Sequence, residues 1–80
     1  MSIMQDPTMN IPMEEIQLIL AGISDDGKIS AEAKKALLAR IEEGKARGFI
    51  NEMGEVKRQF RCKVGPVEGK KIADAIEKLW

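Results

Sequence analysis

Enzymatic chemistry needs a nucleophile, a general base or a set of metal ligands, and this 80-residue chain is poor in all three. It contains no histidine, no tyrosine and a single cysteine, Cys62. Without histidine no Cys–His pair exists. Cys62 also occupies an apolar position in the alternation V-K-R-Q-F-R-C-K-V, where a buried, inert thiol is expected. The carboxylates come as adjacent pairs, Glu14-Glu15, Asp25-Asp26 and Glu42-Glu43. Neighbours diverge on a helix or occupy a turn, so such pairs do not preform a chelate. The run D-D-G-K-I-S-A-E shares the Gly-then-Ile order of a calcium loop. Aligning Gly27 with that loop's invariant glycine, however, puts Gly22 at the first ligand position and Ala33 where a bidentate Glu is required. The glycines of G-P-V-E-G-K-K lack P-loop spacing and its Ser or Thr. The expectation is a non-enzymatic protein with no metal and no cofactor.

Charge is the stronger signal. The chain is formally neutral, with 13 basic and 13 acidic residues. The two signs are segregated. Between Lys57 and Lys71 stand six bases (Lys57, Arg58, Arg61, Lys63, Lys70, Lys71) and one acid, Glu68, whereas residues 1–26 hold five acids and no base. Such polarity argues for a binding surface. One cysteine excludes an intrachain disulfide framework and suits a reducing compartment. No apolar run approaches bilayer-spanning length, and no base precedes Lys28, so neither a membrane span nor a targeting leader is expected. The reading is a cytoplasmic protein.

The elements that must position these groups follow from periodicity and punctuation. Residues 1–10 have no period and read as a flexible tail, leaving residues 11–80 as a single domain near the lower size limit for independent folding. A first helix begins near Pro12, with Glu14 and Glu15 in its first turn, and ends near Gly22. Met13, Ile16, Ile19, Leu20 and Ile23 form its inner stripe and Leu18 widens it. Ser24 to Lys28 is a turn. Ser30 caps a second helix over 31–47, with Ala33, Leu37, Leu38 and Ile41 inward and Gly48 as its left-handed stop. Phe49-Ile50 starts a short strand, residues 51–55 turn around Gly54, and Val56 to Val64 alternates as a second strand. There Val56, Phe60, Cys62 and Val64 point in, while Lys57, Gln59, Arg61 and Lys63 point out. After Gly65-Pro66 a last helix runs to Trp80. The fold expected is α+β, in the order helix, helix, β-hairpin, helix.

The run from Gly48-Phe49-Ile50 through Phe60-Arg61-Cys62-Lys63-Val64-Gly65-Pro66-Val67-Glu68-Gly69 resembles the C-terminal half of winged-helix transcription regulators. The resemblance implies that Leu37 to Glu43 end a recognition helix, that residues 52–57 form the wing, and that Gly65 to Gly69 open the last helix. It further implies that Lys34, Lys35 and Arg40 face a major groove and that Lys57 and Arg58 contact phosphates. The family places two helices where residues 30–47 carry one.

Two functions follow from these readings. In the first, the protein is a small DNA-binding regulator that acts as a homodimer. Lys34, Lys35, Arg40, Lys57, Arg58, Arg61 and Lys63 then contact double-stranded DNA through phosphates. In the second, it is a protein–protein interaction module, such as a small phage or mobile-element inhibitor or an assembly component. The acidic N-terminal third and the basic segment then give directional, head-to-tail complementarity. Leu79 and Trp80 are candidate partner contacts in either case, since Trp is favoured at interfaces.

Overall fold

A computed structural model describes residues 9–48 and 51–80. Among them lie four helices: α1 (Met13–Ala21), α2 (Ala31–Arg47), α3 (Glu52–Val64) and α4 (Pro66–Leu79). The β pairing among the described residues is one isolated antiparallel bridge between Ile23 and Ile29, which closes the turn from α1 to α2. The α+β fold with a winged-helix-like hairpin is thus corrected to an all-helical one. The expected second strand, Val56 to Val64, and most of the turn expected at residues 51–55 are one continuous helix, α3. Phe49 and Ile50, the expected first strand, lie outside the described residues.

The local causes are visible at each end. Pro12 precedes α1, and its carbonyl accepts from the backbone N–H groups of Glu15 and Ile16. The Ser30 hydroxyl accepts from the Ala33 N–H at 3.1 Å and starts α2. Gly48 ends that helix at φ 68°, in the left-handed region that glycine enters without steric cost. The Asn51 side chain accepts from the Gly54 N–H at 3.3 Å and caps α3. Glu52 and Glu55 sit in the first turn of α3 and Arg61 and Lys63 in its last, each sign matched to the helix dipole. At Gly65, with φ 86° and ψ −179°, the chain turns a single-residue corner, and Pro66 opens α4 at its first helical position.

One core joins the four helices. Ile16 and Ile19 from α1, Leu37 and Ile41 from α2, Val56 and Phe60 from α3, and Ile72, Ala75 and Ile76 from α4 are all buried. The stripe of α3 explains why it is a helix. Val56, Phe60 and Val64 recur every four residues, and Met53 extends the row by one turn. On a helix Cys62 falls off that row and is exposed, against the expectation of a buried thiol. Met9, inside the segment expected to be a loose tail, is fully buried. Its N–H donates to the Oε1 of buried Gln59 at 3.0 Å.

Candidate functional site

The change from strand to helix rearranges the basic residues first. A strand would align Lys57, Arg61 and Lys63 on one face. On α3, Lys57 and Arg61 are one turn apart, but Lys63 is rotated by about 200° from Arg61 at 3.6 residues per turn. No continuous phosphate-spaced row survives.

Intramolecular acids then take up three of the seven cations expected at DNA. Arg40 on α2 is the most committed. Its Nε and Nη2 donate to the two oxygens of Glu15 on α1 at 2.6 and 2.8 Å, a bidentate bridge between helices. Its Nη1 donates to Glu43 at 2.7 Å, and Glu43 also accepts from Arg47. The Glu15 hydrogen bonds hold the Arg40 guanidinium well above its ordinary pKa, so it stays charged at any working pH. Lys57 is paired with Glu77 of α4 at 3.0 Å. Arg58 is paired with Glu55 at 2.9 Å, one turn back on α3. Lys34, Lys35, Arg61 and Lys63 are exposed and have no ion pair among the described residues. Lys34 and Lys35 stand near the start of α2, whereas Arg61 and Lys63 stand at the end of α3.

The Arg40 bridge is structural, and we expect Arg40→Ala to lower stability by about 1–3 kcal/mol, the range for hydrogen bonds to charged groups in a partly buried site. Urea unfolding of this variant, of Glu15→Gln and of the double variant should give a non-additive cycle, because both single changes remove the same contact.

Glu55 supplies a pH prediction. The Arg58 guanidinium holds its carboxyl below the ordinary value of 4.5. A carboxylate with a depressed folded pKa is stabilising once the pH exceeds its unfolded value, and that contribution is lost as the pH falls through the folded one. Asp26 shifts the same way, chiefly through the Ser24 hydroxyl. Both carboxylates reach solvent, so the effect is small. Thermal midpoints should decline below about pH 4.5, and Glu55→Gln should flatten that decline while leaving the neutral-pH fold intact.

The expected C-terminal contacts are half-buried and packed against the core. The Lys45 ammonium lies 4.9 Å from the Trp80 ring centroid, within cation–π range. Trp80 therefore faces its own chain.

The feature that sequence reasoning missed is a groove between α1 and α2. Only Ile16 and Ile19 of α1 are buried; Met13 is 47% and Leu18 45% exposed, although both were expected in the inner stripe. Leu38 of α2, also expected inside, is 36% exposed. An open groove of about 550 Å³ runs beside Leu18, floored by Ala36 and Ala39 and edged by Glu14, Glu15, Glu32 and Lys35. A smaller recess of about 290 Å³ shares Leu18 and Glu32 with it. The signal was present: α1 carries more apolar residues than one face can bury, and Ala36 and Ala39 mark a stripe of α2 without large side chains.

A third recess, of about 400 Å³, lies between the 24–27 turn and α4. Its charges are largely satisfied internally, with Lys71 3.7 Å from Asp25 and the Lys78 ammonium donating to the Gly27 carbonyl at 3.3 Å. Among the described residues no group of His, Cys, Asp and Glu could hold a metal ion, and no helix is long and apolar enough to cross a membrane. Comparison with family models, curated proteins and solved structures finds no match to this chain.

Proposed function

We propose that this protein acts by binding another protein, through the groove between α1 and α2, and not by catalysis. One observation carries the reading: Leu18, a large aliphatic side chain on α1, is left half-exposed beside an alanine-floored groove with an acidic edge. An exposed apolar patch with a polar rim is the usual signature of a contact surface. Helical partners dock in such grooves by aliphatic anchors, and the carboxylates of Glu14 and Glu32 favour a partner that brings positive charge. The reading takes the protein to be cytoplasmic, where Cys62 stays reduced.

Duplex DNA binding is the second reading, and it rests on the four of the seven expected cations that have no ion pair among the described residues, Lys34, Lys35, Arg61 and Lys63. Their distribution over two helices and the net charge of zero weigh against it. The test that separates the two is co-purification from the native cells. The groove reading expects a protein partner, another chain or a differently tagged second copy, that Leu18→Glu loses and the pair Lys34→Ala/Lys35→Ala retains. Circular dichroism of Leu18→Glu should match the wild type. A partner indifferent to Leu18→Glu, or salt-steep binding to random duplex, would remove the groove reading.

A further inference from the structure

One side of the core is closed by a segment that belongs to no helix. α1 packs mainly on α2 and α3 mainly on α4, and α1 and α3 barely touch each other. Residues 9–12 bridge these two: they lead directly into α1, and the Met9 N–H donates to the Gln59 Oε1 on α3 at 3.0 Å. Along this strap Met9 and Ile11 are buried while Asn10 and Pro12 are exposed, the two-residue alternation of an extended chain laid in a cleft. Both buried side chains join the core. Among the described residues no backbone–backbone hydrogen bond ties residues 9–11 to a neighbouring element, so the bond to Gln59 is the strap's polar anchor. A segment held this way opens locally far more readily than the helices do.

Gln59 shows that the strap does not complete the site. It is 3% exposed, and its Nε2 has no hydrogen-bond acceptor among the described residues. Oxygen and nitrogen belong to one planar amide, so the unused donor lies beside the strap. A buried N–H without an acceptor is destabilising, and such groups are rare in folded proteins. An extended peptide offers N–H and C=O groups in turn, but the register of the strap is fixed by its link to α1. We propose that the seam between α1 and α3 receives an extended segment of another protein, carrying two apolar side chains two residues apart, and that the strap is its built-in competitor. The incoming segment lifts residues 9–11 out and fills the two apolar positions. It donates an N–H to the Gln59 Oε1 and accepts from Nε2 with a carbonyl. A second copy would bring the same strap and leave Nε2 unmet, which is why the occupant is another protein. No strap residue lines the α1–α2 groove, so this surface is separate from it.

The test is an NMR titration of the full chain with a synthetic peptide, T-M-N-I-S-T, acetylated and amidated at its ends. Free of any link to α1, this peptide can adopt the register that meets both ends of the amide. Binding should saturate, move the Met9 methyl signal to its solvent-exposed position and shift the Gln59 side-chain amide protons downfield. A matched peptide with Asp in place of Met and Ile should not bind. Apparent affinity is lowered in proportion to the fraction of time the strap keeps the seam closed, so loosening the strap should tighten binding. Ile11→Ala should bind the peptide at least about tenfold more tightly than the wild type. Asn10→Gly, which removes no buried side chain, should gain in the same direction by less. A strap with a purely structural role would give neither gain. A Met9 signal that stays in place at millimolar peptide in the wild type and Asn10→Gly overturns the proposal, as does equal binding of the Asp peptide. Intermolecular contacts between Met9 and Gln59 in a mixed labelled sample would assign the seam to a second copy and overturn its assignment to another protein.

Discussion

Phe60→Ala should bring this protein to the edge of unfolding. Phe60 is the largest fully buried side chain among the described residues, and it sits where α3 meets the core of the other three helices. Truncating a buried phenylalanine costs about 3–5 kcal/mol, from lost transfer energy plus the cavity left behind. A chain of this length has roughly 4–12 kcal/mol in total, at about 0.05–0.15 kcal/mol per residue. The urea midpoint should fall sharply, and a large fraction of molecules should be unfolded at body temperature. Cys62→Ala is the matched control two residues away. Its side chain is exposed on the helix, so the midpoint should stay within about 0.5 kcal/mol of the wild type. On a strand the two positions share a face and both substitutions would weaken the core. A costly Cys62→Ala would therefore contradict the helical assignment of residues 52–64.

Gly69→Ala should destabilise the protein, although glycine to alanine within a helix ordinarily stabilises by up to about 1 kcal/mol. The first turns of α4 pass very close to α3 here. A Cβ at position 69 would stand 2.5 Å from the Arg61 Cγ and 2.9 Å from the Arg61 Cα. The side-chain atom can swing aside, but the backbone atom cannot, so the two helices must separate near their corner. Overpacking of this kind costs about 1–3 kcal/mol, which exceeds the propensity gain. Gly69→Val adds bulk and a β-branched side chain and should lose more still. Chemical denaturation of the three proteins should rank them Gly, Ala, Val in falling stability. A more stable Gly69→Ala would mean that the helices do not approach as closely as described.

Most of the helical frame was legible in local signals. The second helix was bounded correctly at both ends because Ser30 and Gly48 are unambiguous caps and its inner positions have a clean 3.6-residue period. The last helix followed from Gly65-Pro66 and the Ile72, Ala75, Ile76 spacing. The segment 56–64 was misread because V-K-R-Q-F-R-C-K-V satisfies both periods. Val56, Phe60, Cys62 and Val64 alternate, yet Val56, Phe60 and Val64 also recur at four. Signals at its ends could have decided the matter: Asn51 three residues before Gly54, acids at Glu52 and Glu55, and bases at Arg61 and Lys63 ahead of a glycine. These are the marks of a capped helix. Arg58, which a two-residue period would place on the inward face between Val56 and Phe60, was the internal clue.

The groove was less legible for a physical reason. That α1 has surplus apolar residues is a local fact, but which of them stay uncovered depends on where α2 and α4 pack, and those contacts are remote in sequence. The charge polarity was correctly seen, but its partition was not. Glu15, Glu55 and Glu77 were not recognised as the partners of Arg40, Arg58 and Lys57.

The most direct measurement is photo-crosslinking in the native cells with a benzophenone side chain introduced at Ala39, on the floor of the groove, and separately at Lys28, in the exposed turn after α1. A discrete protein adduct is expected from position 39, either a second copy of this chain or another polypeptide, and little or none from position 28. Nucleic-acid adducts, equal labelling from both positions, or no adduct from position 39 would contradict it.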